Sequence, residues 1–167
     1  MIEQFSHIFL GDVIDGDRIG LEGVPAKDRW YDPERFSQAY TDARETAILL
    51  ESLGFDFMWL AEHHFQREGY ECIPNVLMLS LWLAQHTQHI RFGCAFNIVP
   101  MWHPVRLAED FATVDILTSG RVTFGVGRGY HTREVETFGA PVTDREGNRE
   151  LFNEQVEVIL KAFHEES

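Results

Sequence analysis

The chain has 167 residues, which suits one compact domain and leaves little room for two. Hydrophobic residues make up 44% and aromatic residues 13%, so a dense core can be filled, and charged residues at 25% are those of an ordinary globular protein. Asp and Glu outnumber Lys and Arg by 27 to 14, a net charge of −13; this argues against a nucleic-acid backbone or an anionic membrane as main partner, while an anionic small molecule held by one or two arginines stays possible.

Phe5 to Leu10 is a short apolar run closed by Gly11-Asp12 and reads as a first strand. A polar connection of about twenty residues follows to Tyr31, longer than most strand-to-helix loops. Asp32-Pro33-Glu34 then opens a helix: Asp32 can cap, Pro33 suits the first turn and Glu34 complements the dipole. Phe36, Tyr40, Ala43, Ala47 and Leu50 recur at helical spacing, and Gly54 supplies the stop. Phe55 to Leu60 is predicted as the second strand. A second helix is predicted from Pro74 to about Gln88, apolar on more than one side and so requiring two buried faces. Ile90 to Val99 reads as the third strand, Pro104 to Ser119-Gly120 as the third helix and Arg121 to Val126 as the fourth strand. Phe152, Val156, Ile159 and Phe163 mark a fourth helix after a loop around 139–148.

Four strand–helix units imply a parallel sheet covered by helices in a single domain over residues 1–167. Two closures fit: an open doubly wound sheet, or half of a (β/α)8 barrel, since a whole barrel needs roughly 250 residues. In both, function belongs at the carboxyl ends of the strands. Cys72 and Cys94 are far apart and lack ligand spacing, which argues against a disulfide framework or a zinc site. The first residues lack a basic and apolar leader, and the stretch 73–84 is too short to span a bilayer. The expected setting is the cytoplasm, with reduced thiols.

Three strand ends carry candidate chemistry. Glu62-His63-His64 follows strand two; the imidazoles suit proton transfer near neutral pH, but neighbours on an extended segment face opposite ways, so a shared metal ion is disfavoured and simple packing stays open. At the end of strand three, small Ala95 beside Phe96 would let a flat aromatic ligand approach the backbone, although a plain connecting turn explains the same residues. After strand four, Gly125, Gly127 and Gly129 alternate around Arg128, whose guanidinium matches a phosphate. The spacing is not the dinucleotide-binding fingerprint, and a simple tight turn is the alternative. Glu109-Asp110 reads as a solvated or salt-bridged helix face.

Together these segments resemble the luciferase-like flavin monooxygenases. The resemblance rests on Gly54-Phe55-Asp56, Ala61-Glu62-His63-His64-Phe65, Asn97-Ile98-Val99-Pro100 with His103-Pro104-Val105-Arg106-Leu107-Ala108-Glu109-Asp110, Asp115 to Arg121, Gly125 to Tyr130, and Phe138-Gly139. It implies a (β/α)8 barrel of which this chain holds about the first four units, with reduced FMN at the mouth and O2 oxidising an aldehyde or another small organic substrate. It also implies a separate flavin reductase and a homo- or heterodimer. His63 is similar to the family's catalytic histidine, with Glu62 and His64 as its neighbours. Arg128 is similar to an arginine on the flavin phosphate. Ala95-Phe96, beside Asn97, falls where a non-proline cis peptide lies beneath the ring, and no metal is expected. Phe96, Trp102 and Tyr130 are expected as water-excluding walls. The rival readings are a deazaflavin-dependent hydride-transfer enzyme of the same fold, a flavin-binding subunit without turnover, and a metal-dependent hydrolase using Glu62, His63, His103 or His131.

Overall fold

The computed structural model describes residues 3–13, 31, 33–141 and 144–164. Most of the long connection after strand one, and the Asp32 cap, lie outside the described residues. The sheet consists of β1 (Ser6–Phe9), β2 (Phe57–Leu60), β3 (Arg91–Cys94) and β5 (Val122–Thr123), all parallel and in chain order. A doubly wound sheet reverses its strand order at a switch point, whereas a barrel adds each strand beside the last. Among the described residues no reversal occurs, which selects the partial barrel.

The packing agrees. In β2, Met58 and Leu60 are buried while Phe57 and Trp59 are half-buried, the two-residue alternation of a sheet with one covered face. Met58, Leu60, Phe92 and Cys94 join a core with helix residues such as Ala43, Leu83, Leu107 and Phe111. On the other face Phe57 and Trp59 stack at 5.5 Å, the Arg91 guanidinium lies 4.1 Å from the Phe57 ring centroid, and Ile8 is exposed. Gly93 makes the Trp59 position possible, because a Cβ there would meet the indole at 2.1 Å.

The helices follow the expected order with altered ends. α1 (Pro33–Ser52) buries Ala39, Ala43, Ala47 and Leu50, small residues that let it sit close to the sheet, and Gly54 at φ +80° closes it. α2 (Val76–Ala84) begins two residues later than Pro74, because the Asn75 side chain accepts from the Met78 amide and caps it. It also ends before Gln88. Arg121 binds the carbonyls of Ala84 at 2.6 Å and Thr118 at 3.2 Å, tying the end of α2 to that of α3 (Pro104–Thr118). The expected loop around 139–148 is partly helix, since α5 (Arg145–His164) starts well before Phe152. Glu109 and Asp110 both pair with Arg106 on the surface of α3.

The third and fourth strands are each broken once, where single runs were expected. β3 gives way to β4 (Asn97–Ile98), and β5 to β6 (Val126–Gly127); β4 and β6 pair with each other as a second small parallel ladder. The Ala95–Phe96 peptide between β3 and β4 is cis. Across the gap, a Cβ on Gly125 would lie 1.8 Å from the Cys94 carbonyl oxygen, so the two chains approach there as only glycine permits. Both breaks occur at one level of the sheet and turn the strand ends toward a hollow. Beyond β6, a helical turn absent from the sequence expectation, α4 (Thr132–Val135), returns the chain toward β2. Among the described residues, no helix is long and apolar enough to cross a membrane.

Candidate active site at the strand ends

The hollow encloses about 400 Å³ and takes its walls from Ala61, His63, Ala95, Phe96, Gly127, Arg128, Gly129 and Tyr130, with Glu71 at its edge. His63 and Arg128 therefore face one space. Gly127 leaves room for Phe96, whose Cβ would stand 3.1 Å from an added Cβ. Gly129 adopts φ +75°, and a Cβ there would lie 2.5 Å from Val135. The glycines of this turn thus bring the backbone to the wall of the hollow. The Arg128 guanidinium is exposed, and no carboxylate pairs with it among the described residues.

Glu62, His63 and His64 separate as an extended segment requires. His63 turns into the hollow. His64 turns the other way, placing Nε2 3.1 Å from Glu62 Oε1 and lining a smaller cavity with Pro74, Met101, Trp102 and Phe138. Glu62 is buried with 1% exposure. Its Oε2 accepts from Asn97 Nδ2 at 2.6 Å and from the Ile98 amide at 2.9 Å, while Oε1 accepts from Trp102 Nε1 at 2.9 Å. These bonds fix the wall-bearing segment after Phe96. Asn97 is itself fully buried and stands behind that wall, with its Oδ1 unpartnered. Trp102, expected as a wall beside Phe96 and Tyr130, lines the smaller cavity beside His64 rather than this hollow, and gives its N–H to Glu62. His103 is exposed at the start of α3, apart from these groups.

Two further carboxylates surround His63. Glu134 on α4 places Oε1 3.1 Å from His63 Nδ1, and the same oxygen accepts from the His64 amide at 3.1 Å and from Gln66 Nε2 at 2.7 Å. Glu71 places Oε2 2.9 Å from His63 Nε2. Burial by itself would push the His63 imidazole down, but the Glu134 hydrogen bond and the charges of Glu134, Glu71 and Glu62 outweigh it and hold His63 above the usual range. Burial likewise disfavours the Glu134 anion, yet the donors from His63, His64 and Gln66 keep its carboxyl below the ordinary range. Neither glutamate was singled out from sequence. Glu134 is 71 residues from His63, on a turn too short to carry a periodic signal. Its one sequence cue is a carboxylate between the Gly-rich turn and Phe138-Gly139.

A larger cavity, about 730 Å³, lies across His63 against α1, with Phe36, Tyr40, Phe65 and Cys72 in its walls. Its Arg133 is already held by both oxygens of Glu68, at 2.9 and 2.7 Å. Burial pushes the Cys72 thiol up to about 12, so it is not a thiolate nucleophile at neutral pH. No three His, Cys, Asp or Glu side chains among the described residues are grouped to hold a metal ion.

The family model described as luciferase-like monooxygenase matches residues 21–167. The chain belongs to the luciferase-like monooxygenase family. The alkanal monooxygenase alpha chain of the Kryptophanaron alfredi symbiont is 37% identical over 115 residues, covering 69% of this chain and 31% of that protein. The oxygenase component of a flavin-dependent trigonelline monooxygenase from Acinetobacter baylyi is 31% identical over 109 residues, 65% of this chain and 30% of its own length. Among solved structures, the oxygenating constituent of 3,6-diketocamphane monooxygenase from Pseudomonas putida, in complex with FMN, superposes with a TM-score of 0.75 at 22% identity, over 96% of this chain and 39% of that one. The family member thus spans about a third of the length of the curated relatives it matches. Its four-stranded sheet is part of the family's barrel.

Proposed function

We propose that this chain supplies the flavin-facing part of a flavin-dependent monooxygenase that uses reduced FMN and O2 to oxidise a small organic substrate. The supporting observation is that the His63 imidazole and the Arg128 guanidinium, which no carboxylate pairs among the described residues, open onto one hollow of about 400 Å³. The residues suit such a cofactor: Ala61, Ala95, Phe96, Gly127 and Gly129 offer a surface without charge for a flat ring, and Arg128 offers a bidentate donor to a phosphate on a chain otherwise strongly acidic. Relatives named for alkanal and trigonelline oxidation point to the same chemistry.

Reduced FMN, when bound, supplies the electrons and the site of oxygen activation. The protein's own work is to bind, to exclude water and to handle one proton. Arg128 would anchor the phosphate. Phe96 and Tyr130 would keep water from the ring. His63 would donate a proton through Nε2 to oxygen developing on the substrate side. Asn97 and His64 would act from behind, while Glu62, which also borders the hollow, would hold the Phe96–Ile98 segment in place through its hydrogen bonds. A separate reductase would deliver the reduced flavin, and a dimer would be the working assembly.

Gel filtration with FMN and, separately, with a deazaflavin, followed by absorbance of the protein peak, tests the cofactor. Retention of FMN supports the reading; retention of the deazaflavin alone replaces it with hydride transfer. Oxygen-dependent aldehyde oxidation by the assembled enzyme with a reductase tests the activity. Flavin retention without turnover there would mean a binding subunit.

A further inference from the structure

His63 is held at both ring nitrogens by carboxylates, at 3.1 Å on Nδ1 and 2.9 Å on Nε2. A neutral imidazole has one donor and one acceptor nitrogen, and an ionised carboxylate only accepts. Both contacts are hydrogen bonds only if the Glu134–His63–Glu71 group carries one proton more than a neutral ring between two carboxylates. The two glutamates are not equivalent. Glu134 is buried at 2% exposure, and its Oε1 is also tied to the His64 amide and Gln66, so it is poorly placed to take up a proton. Glu71 has a side chain 27% exposed, borders the hollow, and itself adopts a left-handed backbone (φ +47°) with its amide donating to Asp12 Oδ1.

We propose that His63 is stored with a proton on each ring nitrogen, Glu134 acting as the positioning residue that fixes Nδ1 and Glu71 as the relay that returns a proton from solvent to Nε2. When Nε2 gives its proton to an anionic oxygen of the bound ligand, the ring becomes neutral and keeps its Nδ1 proton on Glu134. Glu71 then takes up one proton (H+) from bulk solvent and passes it to Nε2, restoring the start with one proton gained overall by the bound ligand. The other titratable and charged groups around the ring are Glu62 from β2's end, Tyr130 and His131 from the glycine turn with ring centroids 6.2 and 6.0 Å away, and Arg128 across the hollow. The cationic form is also the form that the surrounding carboxylates favour over the cost of burial.

The use of this proton rests on the proposed flavin reading, but its storage does not. Long-range proton–nitrogen NMR of the histidine rings, on the chain without cofactor, should show both His63 nitrogens protonated at pH 7 and a titration midpoint above that of an exposed histidine. Glu134→Gln and Glu71→Gln should each lower that midpoint, and Glu134→Gln alone should release the Nδ1 tautomer. A bare ring nitrogen at pH 7 in the unmutated chain overturns the proposal even if neither variant folds. A midpoint unmoved by both variants overturns it too. In the assembled enzyme, Glu71→Gln should shift the pH profile of kcat to lower pH with KM little changed; an unshifted profile overturns the relay. Failure to retain FMN would overturn the functional reading and leave the NMR result standing.

Discussion

Glu62 and Glu134 are both almost fully buried carboxylates in contact with the His63–His64 pair, yet their surroundings assign them different work. Glu62 receives three donors from the frame, an asparagine amide, a backbone amide and an indole N–H, which lose their acceptor if the carboxylate goes, and its ring partner is His64, which faces away from the hollow. Glu134 receives one backbone amide, one glutamine amide and the titratable ring that faces the hollow. A buried carboxylate held mainly by fixed donors sets shape, whereas one sharing a proton with the imidazole that lines the hollow sets the charge there. The difference is that Glu62 follows directly on the end of β2 and reaches across to β4, while Glu134 arrives from a helical turn after the glycine loop.

That contrast can be broken most sharply at Glu62. Glu62→Ala should cost about 3 kcal/mol or more of stability, because two buried donors and one half-buried indole N–H lose their acceptor at once; urea unfolding measures it, and a change below about 1 kcal/mol would mean water replaces the carboxylate. Next comes His63→Ala in the assembled enzyme, with turnover lowered about 10²-fold and flavin affinity nearly kept, read by steady-state kinetics and fluorescence titration. Equal turnover would move the proton work to another group. Arg128→Ala should do the reverse, weakening FMN binding by roughly tenfold while saturating flavin restores turnover.

The smallest effect is expected away from the hollow. Glu51 at the end of α1 accepts from the amides of Gln88, His89 and Ile90 and so pins the entry to β3. Burial would raise its carboxyl, but these amides win and hold it below the ordinary range. A depressed folded-state value stabilises the fold above the unfolded carboxylate range and is lost as pH falls through the folded value. Glu51→Ala should therefore cost about 1 kcal/mol near pH 7, and the two proteins should converge in thermal midpoint at strongly acidic pH. A gap that persists in acid would assign the loss to packing instead.

Much of this could be read directly from the chain. The alternation of apolar runs with helical periods marked four units, and Gly54 and Ser119-Gly120 marked helix ends that the structure keeps. The opposite facing of His63 and His64 followed from extended geometry alone. The break of the third strand after Cys94 had no periodic sign, because both halves are apolar, and the reason for Gly125 is a carbonyl oxygen on another strand. Trp102 has the type of a wall residue, but the chain after β4 carries it to the other side of Glu62, beside His64. Glu71 and Glu134 were hidden for a similar reason: each lies in a connection, where charged residues are ordinary.

The order of the elements, the placement of candidate chemistry at strand ends and the family likeness were determined by local properties, namely apolar spacing, caps and short motifs. What only the tertiary structure decided was which groups meet. Contacts across 71 residues, between His63 and Glu134, depend on how β2 and α4 are packed, and no local preference encodes that distance. The frame is written in nearest neighbours along the chain; the charge state of its central histidine is written in neighbours through space.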